Sequence, residues 1–112
     1  MNKNSTRYYS NKQEKYIAKS LKGKKQSNSG ATSFQKGDVV TKLFLIEAKT
    51  HTTEKDSFTI KRDWIIKNEE EAFSMGKLYN ALAIDFGDGV QHFIISEKLF
   101  NYLNSKLEEE EI

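Results

Sequence analysis

Between Leu78 and Phe86 the chain reads LYNALAIDF, a nearly continuous apolar run. A run this short and this apolar is the signature of a strand covered on both faces. Gly87-Asp88-Gly89 follows it and turns the chain, and Val90 to Ile95 returns as the next strand. A strand buried on both sides needs layers above and below it, so the rest of the sequence has to supply helices.

Helical patterns are present on both sides of this hairpin. From Tyr9 to Leu21, Ile17, Ala18 and Leu21 form an apolar stripe at helical spacing. Glu14 lies three residues before Ile17 and four before Ala18, so it shares that stripe, while the lysines at 12, 15, 19 and 22 spread over the remaining surface. Lys61 to Met75 predicts a second helix with Trp64, Ile65, Ala72 and Met75 on its apolar side. Gly76 serves as its stop, and Lys77 suits its negative end. Ser96 can cap a third helix that buries Leu99, Phe100, Leu103 and Leu107. Upstream, Lys36 to Thr41 and Leu43 to Thr50 predict a strand hairpin whose turn near Lys42 carries no strong turn signal, and Ser57 to Ile60 predicts a short third strand. His51 to Asp56 is a polar loop. Residues 1–8 read as a loose basic tail and 108–112 as a frayed acidic one, leaving a single domain over 9–107. The expected order is αβββαββα, an α/β fold with a mixed sheet flanked by helices.

At 112 residues the chain has room for one hydrophobic core. It has no cysteine, which excludes a disulfide scaffold and thiolate metal sites. No apolar run approaches the roughly 18 residues of a membrane span. The basic, polar N-terminus lacks the apolar centre of a secretory signal. The expectation is a soluble cytoplasmic protein. The net charge of +2 conceals an asymmetry: residues 1–37 carry nine Lys/Arg and one acid, Glu14, a net of +8, and residues 38–112 carry nine Lys/Arg and fifteen acids, a net of −6. A basic first third suits a polyanion, most often nucleic acid, although a basic arm that only aids solubility gives the same composition.

The hairpin GDVVTKLFLIEAKT, Gly37 to Thr50, carries charge where strand cores normally exclude it. Side chains alternate along a strand, so Glu47 and Lys49 share a face with Leu45, and Asp38 aligns with Val40. If Thr41 pairs with Phe44 across a two-residue turn, Asp38 falls directly opposite Glu47, with Cβ atoms about 4.5–5.5 Å apart. Two facing carboxylates repel, and a divalent cation removes the conflict. Carboxylate oxygens without thiolate or clustered imidazole suit Mg²⁺ or Mn²⁺ rather than zinc. Lys49, one pleat beyond Glu47, can orient an attacking water and offset charge on a phosphorus centre. Glu14 can complete the set. Three acids and a lysine in this arrangement point to a metal-dependent phosphodiesterase. Each piece has a plainer reading: Glu-x-Lys also occurs on solvated strand faces, an Asp after Gly is also a turn residue, and Lys36 is an alternative salt-bridge partner. It is the combination that carries the argument.

Asp38 followed by Glu47-Ala48-Lys49 resembles the PD-(D/E)XK nuclease superfamily, with Gly37 where the motif's proline usually stands. More narrowly, SGATSFQKGDVV followed by LFLIEAKT resembles the archaeal-type Holliday junction resolvases and their phage or bacterial relatives. Glu14 matches the helix acid of that pattern, Ser29-Gly30 its loop, and Asp38, Glu47 and Lys49 its core. The resemblance covers roughly residues 7–95. It implies a restriction-endonuclease-like sheet, Mg²⁺ held by Glu14, Asp38 and Glu47, and a homodimer that cuts branched DNA. Trp64, Tyr79 and the last helix are candidate dimer contacts or ordinary core.

The candidate DNA contacts are Arg7, Lys12, Lys15, Lys22, Lys24 and Lys25, with the Ser29-Gly30 loop. The loop from Gly23 to Gln35 either donates backbone N–H groups to a phosphate or simply connects helix to strand. Binding through lysines should weaken steeply as salt rises. No helix-turn-helix, finger or basic-zipper pattern is present, which favours reading of DNA shape over sequence. Tyr8, Tyr9 and Tyr16 can stack on bases or pack, and neither His51 nor His92 is assigned a role. Two other functions fit less well: the same nuclease core acting on other DNA in restriction or repair, and a non-catalytic DNA-binding module.

Overall fold

A computed structural model of the protein describes residues 6–25 and 38–111. Ser29, Gly30, Lys36 and Gly37, with most of the expected phosphate loop, lie outside these described residues. Three helices and five strands follow in the order α1 (Thr6–Leu21), β1 (Lys24–Lys25), β2 (Asp38–Val40), β3 (Phe44–Thr50), α2 (Arg62–Ser74), β4 (Tyr79–Asp85), β5 (Gln91–Ile94) and α3 (Glu97–Glu110). The strands form one mixed sheet in the order β1-β2-β3-β4-β5. Only the β3–β4 pair is parallel, joined by the α2 crossover, and the other three pairs are antiparallel.

The apolar run sits where its composition demands. Ala81, Leu82, Ala83, Ile84 and Asp85 of β4 are all buried. On one sheet face Val39, Ile46, Ala81 and Ala83 pack with Ile17 of α1. Leu45, Leu82 and Ile84 are buried at the alternate positions, on the face that α2 covers. The β2–β3 turn is closed by the Thr41 side chain, whose Oγ1 accepts from the Phe44 amide at 2.9 Å, while the Thr41 amide donates to the Phe44 carbonyl at 3.0 Å. A threonine hydroxyl thus replaces the missing Asn-Gly signal.

Several expectations need correcting. The predicted sequence of element types is present, and two of its three early strands are the predicted ones, but the third is not. Lys24–Lys25, read as loop, pairs with Val39 and Val40 as the outermost strand. Two lysines give no apolar signal, yet they are what an exposed sheet edge tolerates. Ser57–Ile60 is not a strand: Phe58 instead stacks with His51, Trp64 and Phe86. Helix α1 begins at Thr6, inside the expected tail, and α3 runs to Glu110, through most of the expected acidic tail, glutamate being a good helix former. In α2 the buried residues are Asn68 and Ala72, whereas Ile65 is exposed. In α3 only Leu99 is buried; Phe100, Leu103 and Leu107 are 60%, 41% and 62% exposed. Ser96 does cap this helix, its Oγ accepting from the Leu99 amide at 3.1 Å. No helix among the described residues is long and apolar enough to cross a membrane.

Candidate active site

Strand register places the central carboxylates. Asp38 pairs directly with Glu47 across β2 and β3. Directly opposed residues share a face, so both project toward α2, with Lys49 one pleat further on. Asp38 has no exposed surface and Glu47 is 3% exposed. Among the described residues, both Asp38 oxygens and Glu47 Oε2 lack a hydrogen-bond partner. Fully buried polar atoms are nearly always paired, so three unpaired carboxylate oxygens in one place are unusual for a folded core.

Lys49 Nζ lies 3.6 Å from Glu47 Oε2 and 4.4 Å from the centroid of the Trp64 ring. The ammonium is therefore held between a carboxylate and an aromatic face, and it remains 29% exposed. Its backbone is fixed from the other side of the sheet. Buried Gln13 of α1 donates from Nε2 to the Lys49 carbonyl at 2.9 Å and to the Ala83 carbonyl at 3.2 Å, and the same nitrogen lies 2.9 Å from Gln91 Oε1. Gln91 in turn donates to Asp85 Oδ2 at 2.9 Å. These amide contacts lock β3, β4 and β5 to α1 behind the charged face.

A residue missed by sequence reading completes the arrangement. Trp64, Lys67 and Glu71 recur at i, i+3 and i+7 on α2, so they share one side of the helix, with Trp64 and Glu71 partly buried and Lys67 exposed. Glu71 adjoins Asp38, on which its charge acts ahead of that of Glu47, and among the described residues Glu71 Oε2 is buried without a hydrogen-bond partner. Burial, then the charges of Glu71 and Glu47, push Asp38 up to about 8. Burial also raises Glu47, with Lys49 pulling the other way. Glu71 was hidden in the run Glu69-Glu70-Glu71, which looks like a solvated face until it is indexed from Trp64.

Glu14 is buried as expected but on the other face. It sits one turn before Ile17 and pairs with Lys25 Nζ at 3.6 Å, and Lys25 lies opposite Val39, on the α1 side of the sheet. Burial raises the Glu14 carboxyl and Lys25 partly offsets this. Its field reaches Asp38 only weakly, behind those of Glu71 and Glu47. Asp38, Glu47 and Lys49 are thus brought together, and Glu14 faces them from behind the sheet. Lys25, expected to contact DNA, is engaged by Glu14 and by Asn11 Oδ1 at 2.8 Å. Arg7, Lys12, Lys15, Lys22 and Lys24 are exposed. Among the described residues, no three carboxylate, imidazole or thiol side chains are already gathered to hold a metal ion. The donors that do face one another, Asp38 and Glu47, suit a small hard cation that takes one or two carboxylates and keeps its waters.

No protein-family model matches the chain, and neither does any curated protein or solved structure.

Proposed function

We propose that the protein is a Mg²⁺-dependent DNA endonuclease of the PD-(D/E)XK type, acting on branched DNA such as four-way junctions. One observation carries this reading: Asp38 and Glu47 face each other at full burial with unpartnered oxygens, and an aligned Lys49 stands beside them. A purely structural site gains nothing from two buried acids set face to face without hydrogen-bond partners, and a bound cation would satisfy both.

Asp38 and Glu47 would hold the ion, which when bound supplies Lewis-acid polarisation and neutralises phosphate charge. Lys49 donates a hydrogen bond to the attacking water and offsets the charge that develops on the phosphoryl oxygens. The Trp64 ring and Glu47 restrict the ammonium to one position, so little reorganisation is needed when the phosphate arrives. Exposed Arg7, Lys12, Lys15, Lys22 and Lys24 supply non-specific phosphate contacts along α1 and β1.

A four-way junction needs two cuts, and a second copy supplies the second site. The exposed Phe100, Leu103 and Leu107 recur at coiled-coil spacing along α3. Antiparallel pairing of two copies of α3 sets the acidic end, Glu108 to Glu111, against the partner helix's positive N-terminus and its Lys98.

The test is cleavage of a synthetic four-way junction, a matched duplex and a single strand under identical Mg²⁺. Preferential cutting of the junction supports the reading. Equal cutting of all three points to a general nuclease, and tight binding without cleavage of any substrate points to a non-catalytic module.

A further inference from the structure

The cation site of the preceding reading has a third acidic position that the motif does not contain. We infer that Glu71 of α2, not Glu14 of α1, is the third carboxylate that binds the divalent cation with Asp38 and Glu47. The inference rests on the nuclease-type site proposed above.

Three observations separate the two glutamates. Glu71 projects from α2 onto the sheet face that carries Asp38 and Glu47, whereas Glu14 projects onto the opposite face. Among the described residues Glu71 keeps a buried, unpartnered Oε2, as do both oxygens of Asp38 and Oε2 of Glu47. Glu14 is satisfied by the Lys25 ammonium at 3.6 Å. An acid with a cationic partner has little to gain from a second cation, and an acid buried against another acid has much to gain.

The helix is also set to aim Glu71. Asn68, one turn earlier, is 1% exposed and accepts from Asn80 Nδ2 of β4 at 2.8 Å. This bond fixes the rotation of α2 against β4, and with it the direction of residue 71. Lys67 lies near enough to act on both Glu47 and Glu71, but it is paired with Asp63 at 3.1 Å on the solvent side. It therefore tempers the repulsion without filling the site. Among the described residues the three carboxylates are not yet converged, and a bound cation would draw them together.

The probe is Tb³⁺, an oxygen-seeking ion whose luminescence the sole tryptophan can sensitise from its place beside the site. Tb³⁺ is titrated into the metal-free full chain and then displaced with Mg²⁺. Glu71→Gln is expected to weaken Tb³⁺ binding about tenfold or more, by loss of a ligand. Glu70→Gln removes the same charge from an exposed neighbour, and Glu14→Gln does so across the sheet; each should stay within about twofold of the parent. Metal-free Glu71→Gln should melt no lower than the parent, because it removes a repulsion. If Asp38→Asn weakens Tb³⁺ binding and Glu71→Gln does not, Glu71 is not a ligand although the cation site stands. Losses by Glu70→Gln or Glu14→Gln equal to that of Glu71→Gln also overturn the assignment, as does a lowered melting temperature for Glu71→Gln. If Asp38→Asn changes nothing, the cation site and the assignment fall together.

Discussion

Asp38 is the residue on which the chemistry and the stability of this protein meet. In the folded chain it keeps its proton up to about pH 8, chiefly because it is buried and secondly because Glu71 and Glu47 adjoin it. In an unfolded chain an aspartate loses its proton near pH 4. Between those values the folded state binds more protons than the unfolded one, so unfolding free energy falls as pH rises. The raised carboxyls of Glu14, Glu47 and Glu71 act in the same direction. The metal-free protein should therefore melt progressively lower from about pH 4 to about pH 8, and Asp38→Asn should flatten the profile and raise the melting temperature at pH 8. Thermal melts across this range check it; a parent profile that rises with pH contradicts it. Cation binding must displace the Asp38 proton, so metal affinity should climb over the same interval. The opposition of Asp38 and Glu47 was legible in the sequence because strand parity and one turn fix it. Glu71 was not, because its partner lies 33 positions away and its immediate neighbours are two other glutamates.

The elements that hold these residues were legible to different degrees. Strands β3 and β4 announce themselves through apolar runs, and α1 through its stripe. Strand β1 does not, since two lysines become a strand only because Val39 and Val40 offer them a ladder. The β4–β5 hairpin is the sharpest local requirement in the fold. Gly87 has φ +105°, and an added Cβ would come within 2.6 Å of the Thr53 carbonyl group. The loop after β3 closes on this turn through the Lys55 amide, which donates to the Phe86 carbonyl at 2.9 Å. Gly87→Ala combines a disfavoured backbone conformation with a clash against backbone, so it should cost about 2 kcal/mol or more. That corresponds to a fall in melting temperature of about 8 °C or more for a domain of this size. Gly89→Ala meets nothing within 4 Å and carries only the backbone strain of φ +84°, so it should cost less. A reversed order in calorimetry would show that packing of the 51–56 loop against this turn does not hold it.

For the whole molecule, the apolar pattern of α3 was read correctly as a pattern and wrongly as core. The helix leaves Phe100, Tyr102, Leu103 and Leu107 exposed, and a sequence cannot state whether the surface that covers such a stripe belongs to the same chain. The proposed self-association predicts a dimer in light scattering that Leu103→Glu converts to monomer while Mg²⁺-independent secondary structure stays intact. A parent chain that is monomeric at all accessible concentrations contradicts it. Charge is likewise organised over the whole chain: exposed lysines cluster on α1 and β1, and the acidic residues 108–111 lie at the far end of α3.

The most direct measurement is a Mg²⁺ titration of strand cleavage on a synthetic four-way junction, run in parallel with Lys49→Ala. Cleavage should appear and saturate with Mg²⁺ in the parent. In Lys49→Ala it should fall by about 10² or more, junction binding remaining close to that of the parent. Cleavage by Lys49→Ala at the parental rate, or parental cleavage that persists in excess chelator, would contradict the assignment of this buried acid pair and its ammonium to phosphodiester hydrolysis.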